Sequence, residues 1–421
     1  MTVRLINTNI LGALGVLQTA GACLSSELPA ERPQFSASVR QLAAGTQFTC
    51  AVTVEGDVFC WGASQLGTLL PTFEDYRRAQ RVVGLRNIIQ VSICGGAACA
   101  LDNGGHVWCW GDNSRGTLAG AGGKRWVDRP QLVPGVETVT SIGLSPAEDI
   151  YARTADGMVY VWGGSTWPPR RVTVPGATED VHSSHGGVCM RLTQGGVACQ
   201  SLRAPDGTVT SVGSPYQFVT VGGTEDMLLL QTGSSFWCGL KRDATLWCWG
   251  ANNVAQTGFP PEMSQNCSRV SVLDRTVTEH FFCLREARRV MPLHDVAEMA
   301  LGVLTGCARV RDGTVWCWGG AFRDLSEHGP HFVTHGDGRM DGERCVSLLY
   351  EPSHWTPPPV PCRRHPTQIV GLSRATAIVV GRDHACAALA EGGVRCWGAN
   401  DFGQLGDGTT THRATPVPVR M

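Results

Sequence analysis

Twelve of the eighteen cysteines fall into six pairs whose partners stand ten residues apart: Cys50 and Cys60, Cys99 and Cys109, Cys189 and Cys199, Cys238 and Cys248, Cys307 and Cys317, Cys386 and Cys396. Thiols in such numbers serve either metal binding or disulfide formation. Zinc ligands pair at about two to four residues, and none of the six pairs has that spacing. Where a seventh pair would fall, Tyr151 and Val161 replace both cysteines together. Joint loss is what bonded partners predict, so the pairs read as disulfides and place the chain in an oxidising compartment. Of the rest, Cys267 with Cys283 and Cys345 with Cys362 are the economical pairings, each within one long insert. Cys23 and Cys94 remain: Cys23 is either lipidated or bonded to Cys94, and parity does not decide.

A second group of chemistry-bearing residues lies in the segment 320–366: His328, His331, His335, Asp337, Asp341 and Trp355. On a helix the histidines would converge, but Gly329-Pro330 stands between the first two and breaks a regular helix. The acidic run 337–343 has oxygen ligands without the spacing of a calcium loop. No metal site or cofactor is assigned. These residues read instead as a candidate partner-binding insert. The sequence has no phosphate-loop, G-x-S-x-G or H-E-x-x-H signature, so the expectation is a binding protein and not an enzyme.

Around these residues the chain repeats. Seven units, each a strand, a glycine-containing turn and a returning strand, have cores beginning at Cys50, Cys99, Tyr151, Cys189, Cys238, Cys307 and Cys386. In the sixth unit the loop Arg311-Asp312-Gly313 closes the hairpin with Gly313 suited to the left-handed position, which sets Cys307 opposite Cys317. Successive second-cysteine positions are spaced 49, 52, 38, 49, 69 and 79 residues, and the two long intervals hold inserts at 259–292 and 320–366. Short strands at a period near 50 predict an all-β protein, a seven-bladed β-propeller over residues 38–421. Fifty-two glycines and 23 prolines suit so many turns. Trp61, Trp110, Trp162, Trp249, Trp318 and Trp397 recur at one blade position and suit packing between blades. The 35 basic and 36 acidic residues leave no global attraction to nucleic acid.

The last unit is the most complete: Gly381, His384, Gly393, Val394, Trp397-Gly398, Asn400 and Gly403-Gln404-Leu405-Gly406. This pattern resembles the regulator of chromosome condensation repeat family. Units one, two, five and six match well; units three and four match poorly, with Gln200 in place of the tryptophan of unit four. The resemblance implies the propeller fold, and a turn role for His384. It also implies an alternative function, a guanine-nucleotide exchange activity like that of the family's namesake. A carbohydrate-active enzyme using the central mouth is a further alternative.

Residues 1–22 read as a signal peptide: Arg4, the apolar run Ile10 to Leu17, and small residues ending in Ala20-Gly21-Ala22. Followed by Cys23, the segment also reads as a lipoprotein signal, although Ala20 stands where that pattern usually has leucine. Residues 23–37 form a polar, proline-containing linker. The expectation is an exported protein, periplasmic, anchored at the outer membrane or extracellular. It would be a monomer that binds a protein or small-molecule ligand and meets the membrane only through a lipid.

Overall fold

The ten-residue cysteine spacing becomes a hairpin register. In a computed structural model of the chain, Cys50, Cys99, Cys189, Cys238, Cys307 and Cys386 face Cys60, Cys109, Cys199, Cys248, Cys317 and Cys396 across antiparallel strands. The structure describes residues 34–63, 76–94, 96–113, 118, 125–144, 149–163, 168–174, 176–184, 187–200, 218–221, 223–233, 236–270, 278–320, 343–345 and 360–421. Five of the six pairs are resolved as disulfides with Cα atoms 4.1 Å apart, close to the roughly 4.5 Å of a non-hydrogen-bonded antiparallel pair. Closing so short a loop stabilises each hairpin by about 3 kcal/mol on the loop-entropy argument.

Seven antiparallel sheets follow one another along the chain as the blades of a β-propeller. The inner strands are Val39–Ala44, Ile88–Cys94, Val139–Leu144, Thr178–Ser184, Met227–Thr232, Val296–Leu301 and Ala375–Val380. Glutamine side chains join some neighbouring inner strands. Gln41 exchanges two hydrogen bonds with the Val91 backbone, at 3.1 and 2.7 Å, and Gln90 does the same with Ile142, at 2.8 and 3.0 Å.

Tryptophan and the glycine after it form the junction between blades. In the third strand of blade one the pairing register slips between Cys60 and Gly62, and the same slip recurs at Gly111, Gly250, Gly319 and Gly398. Gly319 has φ 102°, and a Cβ there would lie 2.3 Å from the Leu304 carbonyl oxygen, so only glycine permits the bulge. The preceding tryptophans are buried, at most 1% exposed. The Trp318 indole N–H of blade six donates to the carbonyl of Gln256 in blade five, and Trp61 of blade one donates to Gln404 of blade seven, both at 3.0 Å.

The tryptophans also follow a rule of placement. Trp110 and Trp162 share a buried cluster with the cysteine pairs of blades one and two. Trp249 joins Cys189 of blade four, Trp318 the Cys238 and Cys248 pair, Trp397 the Cys307 and Cys317 pair, and Trp61 the Cys386 and Cys396 pair. The disulfide of one blade thus meets the tryptophan of the next. Burying one indole removes on the order of 200 Å² of mostly apolar surface, a gross gain of about 5 kcal/mol.

Among the described residues no strand is shared between the two ends of the chain, and side chains and short backbone bridges close the ring. Phe35 N–H donates to the Val419 carbonyl at 3.0 Å, Ala79 N–H donates to that of Arg420 at 2.8 Å, and Gln34 bridges Arg420. Phe35 precedes the first inner strand, and Val419 and Arg420 stand at the end of the chain. His384, fully buried at the start of a blade-seven strand, hydrogen-bonds Thr49 of blade one at 2.7 Å through Nε2. Its Nδ1 has no partner among the described residues.

Burial holds His384 neutral and lowers its pKa from 6.5 to about 4. Between those values the unfolded chain takes up a proton that the native ring refuses. Stability should therefore fall as pH drops from about 6.5 to about 4, by on the order of 3 kcal/mol from this residue. Thermal unfolding followed across that range should show a shallower slope for His384→Gln than for the parent. Parallel slopes would remove the assignment.

Candidate interaction surface

In an antiparallel blade the first and third strands end at the same rim. The connectors after the third strands, both inserts among them, therefore leave from one rim. The opposite rim carries tight hairpin turns, such as that at Gly313.

In the most complete unit, Asn400 organises the connector: its side-chain oxygen accepts the Leu405 N–H at 2.9 Å, and its amide reaches the carbonyls of Thr409 and Thr411. Asn113 and Asn252 repeat the first bond, accepting the N–H of Leu118 at 2.7 Å and of Thr257 at 3.0 Å. Within the blade-seven connector, burial pulls Asp407 upward, but hydrogen bonds from Thr409 and Arg413 outweigh it and hold the carboxylate below its usual range. These turns are scaffold, and they set the ground on which the inserts sit.

Each insert contributes an added strand as well as the blade's own outer strand. In blade five, Gln265–Val270 pairs outside Thr278–Arg289, which itself pairs with the third strand Leu246–Ala251. In blade six, Glu343–Cys345 pairs outside Val360–Gln368, which pairs with Val315–Gly320. Both sheets therefore have five strands. Disulfides Cys267–Cys283 and Cys345–Cys362 tie each added strand to its neighbour diagonally, with Cα atoms 5.9 and 5.8 Å apart.

The two inserts meet. The blade-five connector bends over blade six, where Val254 and Ala255 share a buried cluster with Cys345 and Cys362. Asn253 of the same connector accepts the Phe282 N–H at 2.6 Å and so fixes it to its own insert hairpin. At the surface, Arg364 of blade six bonds Glu262 of blade five at 2.7 Å and lies 4.0 Å from Glu343. Arg288 donates to the Met263 carbonyl at 3.1 Å. Met263 is exposed beside this charged group. The result is one composite surface of two stapled edges.

The sequence-selected residues His328, His331, His335, Asp337, Asp341 and Trp355 lie outside the described residues, as does Cys23. Cys94 ends the inner strand of blade two, its backbone opposite Ala97. Arg364, Glu262 and Glu343 escape sequence reading because they stand 102 and 21 residues apart and carry no motif. Their only signal is that they flank the extra cysteines.

Comparison with known proteins agrees with this geometry. The regulator of chromosome condensation repeat matches residues 39–68, 88–117 and 375–404, with a second form of that repeat over 391–421. Among solved structures, yeast RCC1 (Prp20), crystallised with Kap60 bound, is similar at 16% identity and TM-score 0.67, covering 99% of this chain and 91% of that one. Prp20p from Saccharomyces cerevisiae, described with its binding properties to Gsp1p and histones, is 17% identical with TM-score 0.66, over 92% of this chain and 88% of that chain. Human WBSCR16 is 16% identical with TM-score 0.63, over 87% and 95% respectively.

The surface pair and the bridge beneath it should differ in weight. Arg364 and Glu262 are partly exposed, so a double-mutant cycle with alanine should give a coupling of about 0.2–1 kcal/mol. Replacing Cys345 and Cys362 with serine should cost about 3 kcal/mol and raise amide exchange at 343–345, 360 and 362. Equal costs would mean that the bridge does not hold the added strand.

Proposed function

The chain carries regulator of chromosome condensation repeats on a seven-bladed propeller, and from that premise we propose that it is an exported or lipid-anchored binding module of a bacterial cell envelope. It acts by binding and not by catalysis, as a monomer, and engages a protein partner through the rim that carries the two inserts. The observation that carries this reading is the convergence of two cysteine-stapled edges, joined by Arg364 and Glu262, on that one rim. A scaffold that needed only stability would gain little from lengthening two adjacent blades on the same side. Fold relatives bound to Kap60 or described with Gsp1p and histones support a protein as the kind of partner.

Export is supported by the cysteines. Cross-strand pairs form and persist where glutathione does not reduce them. The sequence before Cys23 supplies the signal, and the thiol of Cys23 would take the lipid.

Two measurements test the reading. Non-reducing peptide mapping of protein taken from its native host should find 50–60, 99–109, 189–199, 238–248, 307–317 and 386–396 linked, in the exported fraction. Full-length chain in the cytosol with free thiols would overturn the location. For the rim, replacing 321–359 with a short glycine–serine linker keeps the outer strand of blade six. This variant should lose the partner captured by cross-linking in intact cells, whereas Val83→Ser, in a connector at the opposite rim, should retain it. The reverse pattern would move the binding surface.

A further inference from the structure

At the rim opposite the inserts, blades five and six line an open recess of about 260 Å³. Its walls combine Leu228, Leu240 and Val296 with three cations, Lys241, Arg242 and Arg311. We propose that this recess is a binding site for a compact amphipathic acid, whose carboxylate meets the cations while its apolar body rests on the leucines and valine.

The backbone that carries the cations is fixed by hairpin hydrogen bonds. Lys241 N–H bonds the Thr245 carbonyl at 2.9 Å, Arg242 N–H bonds that of Asp226 at 3.1 Å, and Arg311 N–H bonds that of Asp295 at 2.9 Å. The Lys241 ammonium also lies over the Trp247 ring, 4.5 Å from its centroid. The nearest acids in sequence serve their own turns: Asp243 accepts the Thr245 hydroxyl at 2.6 Å, and Asp312 accepts that of Thr314 at 2.7 Å. The Arg242 and Arg311 side chains accordingly make no ion pair among the described residues. Charge-assisted hydrogen bonds from such groups to a carboxylate are strong, the more so beside apolar walls.

The blade template does not require these residues. Where blades five and six have Arg242 and Arg311, the others have Val54, Asn103, Ala155, Thr193 and Ala390. Two cations at this position occur only in adjacent blades, at the junction where the recess lies. Ala244 also lines the recess, and at φ 61° it occupies the left-handed position filled by Gly56, Gly105, Gly157 and Gly313 in other hairpins. A methyl group there costs about 1 kcal/mol or more in backbone strain and adds apolar wall. All the departures point toward a ligand with one charge and one apolar face.

The site is tested by ligand-observed NMR and calorimetry on the whole chain, with 4-methylvalerate as the probe. Acetate supplies the head alone, 4-methylvaleramide the body alone, and inorganic phosphate a different anion. The expected result is binding of 4-methylvalerate at least tenfold tighter than acetate, no binding of the amide, and weakening with added salt. Arg242→Gln/Arg311→Gln should lose at least tenfold in affinity at an unchanged melting temperature, since neither side chain makes an ion pair among the described residues. Equal affinity in the variant would overturn the site. Phosphate binding as tightly as 4-methylvalerate would overturn the ligand class.

Discussion

The disulfide of one blade and the tryptophan of the next share a buried cluster at six of the seven junctions, and the ring depends on that pairing. The hairpin bridge stiffens the second and third strands of a blade, and at five of the six tryptophan–glycine pairs a bulge turns an indole onto the neighbour. The exception supports the rule. Blade three has Tyr151 and Val161 in place of the cysteines, and the following blade has Gln200 in place of the tryptophan. Both partners are missing at the same junction. There Tyr151 packs edge-to-face on Phe218, with ring centroids 6.4 Å apart, so an aromatic pair substitutes for sulfur against indole. Closure between blades seven and one uses the same device, reinforced by His384 and Thr49.

A junction built from buried template residues leaves both rims free to vary. The variation is concentrated. The two fifth strands and the meeting of Arg364 with Glu262 fall on blades five and six, as does the cationic recess at the opposite rim. Among the described residues of the other blades, the turns between second and third strands are short and carry no lysine or arginine. Function is accordingly read from departures, while the repeated residues explain why the departures can be accommodated without opening the ring.

Much of the fold is legible in the residues because hairpin register is local. Ten residues with a glycine at the turn place Cys307 opposite Cys317 by counting alone, and the Gly313 φ of 86° fits that count. The recurrence of tryptophan likewise signals packing between blades. What counting cannot reach is the partner across a junction. Trp318 finds Gln256 at a separation of 62 residues and Trp61 finds Gln404 at 343, distances set by ring closure. The inserts are harder still. Their lengths suggest loops, yet Gln265–Val270 and Glu343–Cys345 pair as strands, because an outer strand already in place offers unpaired backbone groups to whatever follows it. The histidines of the second insert stand outside the described residues, so the chemistry first suggested by 328–341 has no geometry to set beside it.

The coupling of sulfur to indole across a junction is measured most directly by a double-mutant cycle between Cys307→Ala/Cys317→Ala in blade six and Trp397→Phe in blade seven, read by denaturant unfolding. Residues that share a cluster should couple by about 1 kcal/mol or more, whereas the same bridge cycled against Trp162→Phe in blade three should be additive within about 0.5 kcal/mol. Additivity at both positions would contradict the account.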